Sequence, residues 1–238
     1  MTVFLLIRLH LFSKKYPQSN SDEAIEARLD RFEKYCLPTL KRQQDSSFKA
    51  LLIMDERVSS PPIWRRLSSY ADETNIFIGL AKAAFEHDGD MFEDPALPLI
   101  CQDLVSGFLN ETDDTVITTM LDSDDALHPR FISAIMREVR PEVKEYLVFD
   151  TFYTNSKYGI SKASRNRNNM FHTLVEPRAE FKTCFVEKHG AIANYAPIRY
   201  IGNGVPYCMK HYHGENLDSG IKKHQSLPVE KIMKDFYG

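Results

Sequence analysis

The chain of 238 residues is 43% hydrophobic and 26% charged, enough for a sizeable buried core and ordinary for one α/β domain, or one domain with a tail. A formal net charge of −3 gives no overall attraction to nucleic acid or to an anionic membrane, which excludes nonspecific polyanion binding as a leading role. Cys36, Cys101, Cys184 and Cys208 lie far apart with no CxxC pair, so neither a zinc ribbon nor a dense disulfide framework is expected.

At the N-terminus the apolar run VFLLI is interrupted by Arg8 and His10 before a secretory or membrane-spanning segment is complete. It predicts a first buried strand in a cytoplasmic protein with no transmembrane segment. Ser19, Ser21 and Asp22 offer N-caps to a helix whose apolar positions, Ile25, Leu29, Phe32, Cys36 and Leu40, recur at helical spacing. Pro38 predicts a bend or restart in it. SFKALLIMDE reads as a buried parallel strand ending in Asp55 and Glu56, PPIWRRLSSYA as a helix with proline in its first turn, and NIFIGL as a third strand. Residues 81–98 mix aromatics with acids and prolines and are expected to be mostly loop. LPLICQDLVSGFLNET predicts a helix with a stripe through Leu99, Leu104, Val105 and Phe108, and DTVITTMLD a fourth strand.

This alternation of strand and helix predicts an α/β fold with a mostly parallel, Rossmann-like sheet and helices on both faces. Ligands of such sheets bind outside the carboxyl ends of the strands, where Asp55 and the cluster Asp122, Asp124 and Asp125 would lie. The second half is less regular. HPRFISAIMREV reads as a helix and EYLVFDTFYTNSKYG as a strand or hairpin. Lys157, Lys162, Arg165 and Arg167 then follow in a stretch without acids, and the tail from Lys222 reads as a loosely attached helix.

Three carboxylates within LDSDD repel one another unless a cation or hydrogen-bond donors offset the charge. Closely spaced oxygen ligands suit a hard divalent ion such as Mg²⁺ or Mn²⁺. The alternative is capping of the helix that begins near His128 or Pro129. A calcium EF-hand loop is excluded because Ala126, Leu127 and Ser133 stand where it needs Asp or Asn, Gly and Glu. An aspartyl-phosphate phosphatase is excluded because the cluster follows the fourth strand and Ala126 closes the motif.

ARLDRFEKYCLPTLKRQQDSSFKALLIMDE, then MLDSDDALHPRFI and later HYHGENL, resemble in order the rhamnosyltransferase group among GT-A glycosyltransferases. The resemblance implies a single GT-A domain with a nucleotide-binding half (1–125), an acceptor half (126–220) and a tail (221–238). It implies Mn²⁺ or Mg²⁺ on Asp124, with Asp122 on the ribose or on the metal through water, and Asp125 on the donor sugar or capping the next helix. His213 is the implied distant metal ligand, with His211 its neighbour to weigh. Asp55 and Arg8 would face the nucleotide, and Arg165 and Arg167 would close over the diphosphate as part of a lid or stay in a solvated loop. Inversion needs a carboxylate base: Glu176 comes first, with Glu180, Glu187 and Asp150 behind it, while His172 and His189 have no assigned role. The implied partners are a nucleotide-sugar donor and a glycan or lipid-linked glycan acceptor, compatible with peripheral attachment to a membrane. A nucleotidyltransferase is the alternative enzyme, although RLHLFSKKYPQSN lacks its glycine-rich phosphate loop. A non-catalytic sugar- or nucleotide-binding module is the alternative outside enzymes.

Overall fold

The structure is a computed structural model that describes all residues except 15, 72–74, 82–95, 165–170, 189 and 214–226. The first half runs β1 (Val3–His10), α1 (Asp22–Arg31), a π-helical turn (Phe32–Cys36), α2 (Leu37–Lys41), β2 (Phe48–Asp55), α3 (Pro61–Ala71), β3 (Ile76–Ala81), α4 (Ala96–Ser106) and β4 (Thr115–Asp122). The second half adds β5 (Ala126–Leu127), α5 (Phe131–Glu138), β6 (Glu145–Phe149), β7 (Thr151–Ser156), β8 (Gly159–Ser164), β9 (His172–Pro177), β10 (Ile198–Ile201), β11 (Cys208–His211) and α6 (Val229–Tyr237).

Seven strands form one sheet in the order β10-β6-β9-β4-β1-β2-β3, in which only β9 runs antiparallel to its neighbours. The mostly parallel α/β sheet is therefore as expected, and the second half completes it through β6, β9 and β10. A smaller sheet, β5-β11-β7-β8, lies beyond β4 and ends in the β7–β8 hairpin.

Both faces of the large sheet are buried, which explains why its strands read as apolar runs rather than alternating patterns. Val3, Leu5, Ile7 and Leu9 of β1 join one core with Leu29, Phe32, Ile63, Leu67 and Ile135 from the helices. Phe4 and Leu6 point the other way, into a core with Leu97, Ile100, Cys101 and Val105 of α4.

The Ser21 hydroxyl caps α1 by accepting the Ala24 N–H at 3.3 Å. The irregularity expected near Pro38 is the π-helical turn just before it. Two local expectations are corrected. Leu99 is 52% exposed, because α4 turns Leu97, Ile100, Cys101 and Val105 to the sheet; its continuous apolar run offers overlapping stripes, and packing selects one. The tail helix α6 is docked, not loose: Ile232 and Phe236 are buried against Ala126, Ile160 and Met209. Most of 81–98 lies outside the described residues.

Candidate functional site

The parallel pairing of β1 with β4 sets Arg8 directly beside Asp122 at the carboxyl rim of the sheet. A tight turn follows, closed by the Asp125 N–H donating to the Asp122 carbonyl at 3.1 Å. Ligand atoms of Asp122, Asp124 and Asp125 all lie within 4.8 Å of one another. Arg8 approaches Asp122 at 3.7 Å and rests over the Phe185 ring at 5.4 Å. Burial pushes the Asp122 carboxyl above its ordinary range despite Arg8, and Asp124 adds to the rise. Burial also acts to raise Asp124, but the hydrogen bond and charge of His213 outweigh it and hold Asp124 below its usual value. Helix α5 starts at Phe131 with Arg130 as its N-cap and no side-chain cap, so none of these acids serves it.

β11 brings the distant histidine home. It pairs with β5, which follows the acidic turn, and the His211 N–H donates to Asp125 Oδ1 at 2.9 Å. Two residues on, His213 Nε2 lies 2.5 Å from Asp124 Oδ2. The π-helical turn sets Tyr35 in a stack on the His211 ring, with centroids 4.3 Å apart. The Asn155 amide donates to His211 Nδ1 at 3.2 Å, which leaves Nε2–H to donate to the Tyr237 hydroxyl of α6 at 2.8 Å. His211 is thus a buried strut between α6 and the acidic turn, and His213 is the histidine that meets the acids. Tyr237→Phe strands the Nε2–H of the buried His211 and is expected to lower the melting temperature by a few degrees, which differential scanning calorimetry checks.

Several expectations are corrected by these placements. Asp125 is 1% exposed and tied to β11 through Oδ1, so it does not cap α5. Asp55 stands on the rim as expected, but its oxygens accept from Arg57 Nε and Nη2 at 2.8 and 2.7 Å and from the Arg57 and Phe12 N–H groups. At 1% exposure it has no access to a nucleotide, and the surface there belongs to Arg57, which lies over the Phe12 ring at 4.5 Å.

Glu176 is corrected as well. It pairs with Val116, at the opposite end of β4 from Asp122, a separation of about 20 Å at strand spacing. It is fully buried and accepts from the Lys182 and Thr183 N–H groups and from the Tyr195 hydroxyl. Burial raises its carboxyl above the ordinary value. Its work is structural. Glu180 follows at that same far end, and Glu187 lies two residues past Phe185. Asp150 alone among the four acids follows a strand, β6, that runs parallel to β4 and reaches the same rim. His172 is buried, with Nε2 bonded to the Cys184 carbonyl at 3.1 Å. Lys162 is bound to the Gly204 carbonyl at 2.8 Å, while Arg165, Arg167, His189 and the GEN of HGEN lie outside the described residues.

One basic residue was passed over. Arg28 occupies the buried side of α1 between Ile25 and Phe32, and donates from Nη1 to the Leu9 carbonyl at 2.8 Å, on the rim beside Arg8. An arginine inside an otherwise apolar helix stripe was the signal available in the sequence.

The donor set fits a hard divalent cation: clustered carboxylate oxygens, an imidazole nitrogen beside them, and a buried Asp125 Oδ2 with no hydrogen-bond partner. Among the described residues no helix is long and apolar enough to cross a membrane.

Comparison with known structures supports the architecture. Residues 1–349 of TarS from S. aureus share the fold at a TM-score of 0.50 with 12% identity; the match covers 89% of this chain and 60% of that one. The same TarS segment in complex with UDP gives a TM-score of 0.49, again with 12% identity, covering 89% and 61%. The chain thus spans about 60% of that TarS segment. No curated protein sequence matches. A family profile described as "Putative rhamnosyl transferase" matches residues 13–225, nearly the whole chain including the acidic turn and His213, and the protein therefore belongs to that glycosyltransferase family.

Proposed function

We propose that this protein moves a sugar, rhamnose in the first instance, from a nucleotide-sugar donor to a hydroxyl of a glycan or lipid-linked glycan, with inversion and with Mn²⁺ or Mg²⁺. The observation that carries this reading is the meeting of His213 with Asp124 at the carboxyl rim of a GT-A-type sheet, in a chain of this family. Asp124 and His213 would hold the ion, with Asp122 beside them. The ion would supply positive charge to the diphosphate as the sugar to phosphate bond breaks. Arg8, held against Asp122 and Phe185, keeps the acidic turn oriented toward the rim. We assign the base to Asp150. It stands level with Asp122 two strands away, about 10 Å at sheet spacing. Its carboxylate is fixed by the Gly204 N–H at 3.0 and 3.1 Å, which orients it without consuming every lone pair. There it takes the acceptor hydroxyl proton as the new bond forms.

Thermal unfolding with UDP, GDP and thymidine diphosphate, with and without Mn²⁺, tests the reading. One diphosphate is expected to raise the melting temperature in the presence of the metal, since a ligand bound to the native state adds stability. Stabilisation by free glycan alone would point to a binding module instead.

A further inference from the structure

We infer that Arg28 is a catalytic residue that grips the β-phosphate of the donor and shares with the metal the charge left on the departing nucleoside diphosphate. The inference rests on the donor reading above and extends it to a residue of α1. Charge balance motivates it. A divalent ion on Asp124 and His213, with Asp122 beside it, would share its charge with those carboxylates, which leaves work for a second cation at the diphosphate. Of the cations near the rim, Arg57 is consumed by the buried Asp55, Arg8 faces Asp122 at 3.7 Å, and Arg31 and Lys210 act on the acids of the turn themselves. Arg28 has no carboxylate partner among the described residues; its one bond, from Nη1 to the Leu9 carbonyl, leaves the remaining N–H groups of the guanidinium for another acceptor.

Its position suits that acceptor. Leu9 directly follows Arg8, which lies opposite Asp122, so the anchor sets the half-buried guanidinium on the rim next to the acidic turn. Asp122 and Asp124 both act on Arg28 electrostatically, and burial with its neighbours Arg31 and Arg8 lowers its proton affinity. A planar fork matches two phosphate oxygens. During transfer the acceptor oxygen bonds to the anomeric carbon and its proton passes to the base. The bond from that carbon to the phosphate oxygen breaks, and its electron pair stays on the β-phosphate, which gains one negative charge within reach of Arg28.

The test measures binding of UDP, GDP and thymidine diphosphate, and of the matching monophosphates, by calorimetry with Mn²⁺, to the full chain and to Arg28→Gln and Arg28→Lys. For the diphosphate that binds, Arg28→Gln is expected to raise Kd at least about 10-fold, with Arg28→Lys intermediate and the monophosphate unaffected. In turnover, kcat should fall more than KM rises, because the lost charge contact strengthens as the bond breaks. Should Arg28→Gln not fold, Arg28→Lys, which keeps the charge but not the fork, carries the same comparison. Equal weakening of di- and monophosphate, or no weakening, overturns the assignment and leaves the donor reading intact. If no nucleotide binds the wild-type chain, both fall.

Discussion

Asp124→Asn is expected to lower metal-dependent kcat/KM at least about 100-fold, because the outer partners of metal ligands alone are worth 10- to 100-fold. The same substitution should lower the melting temperature of the protein by only a few degrees: Asp124 loses the charged contact with His213 that holds its carboxyl below the ordinary value, and relief of its repulsion on Asp122 and Asp125 offsets part of that loss. A residue whose replacement abolishes activity at a small cost in stability belongs to function, whereas loss of a helix cap would cost stability and spare activity. Paired unfolding and turnover measurements on this variant separate the two roles. Loss of stability with activity retained would remove Asp124 from the metal site.

Glu176→Ala is expected to do the reverse. It strands the buried Thr183 N–H together with the partly buried Lys182 N–H and Tyr195 hydroxyl, groups that cost on the order of 1–3 kcal/mol each when buried, for a combined loss of about 4 kcal/mol. For a domain of this size that is a fall of roughly 10 °C in melting temperature. The fraction that remains folded should keep its kcat, since the residue sits at the far edge of the sheet. Asp150→Asn is the contrast, with kcat lowered at least about 100-fold, at the low end of what a positioned base contributes, and stability barely moved. Differential scanning calorimetry beside single-turnover kinetics decides between the two acids. A folded Glu176→Ala with collapsed kcat would restore the first sequence-based choice.

That choice shows where sequence reasoning ran out. The letters of HTLVEPRAEF carry no sign of which way a strand there would run. β9 runs antiparallel to β4, and this alone carries Glu176 away from the rim. Asp150 lies before a hairpin with nothing in its letters to promote it. The apolar runs and their helical alternation, by contrast, predicted the parallel core well, because strands buried on both faces need continuous hydrophobicity. The clustering of Asp122 and Asp124 was legible from their place at the end of the fourth strand, and the approach of His213 to them only through the family resemblance. Asp55 was placed at the right edge yet misread, since no pattern reveals that Arg57, two residues on, folds back to satisfy it. The tail was misread for a related reason. Ile232 and Phe236 are one helical turn apart, and two apolar positions in a polar stretch do not announce a docked helix until the surface that receives them is known.

Under the proposed function, Asp124 and His213 hold one divalent ion on which a nucleoside diphosphate lands. Pulsed electron paramagnetic resonance of Mn²⁺ bound to the protein with the diphosphate that stabilises it tests this directly. Nitrogen coupling from one imidazole, lost in His213→Gln, is expected together with phosphorus coupling from the nucleotide. A bound Mn²⁺ without nitrogen coupling, or nucleotide binding of equal strength in EDTA, would contradict it.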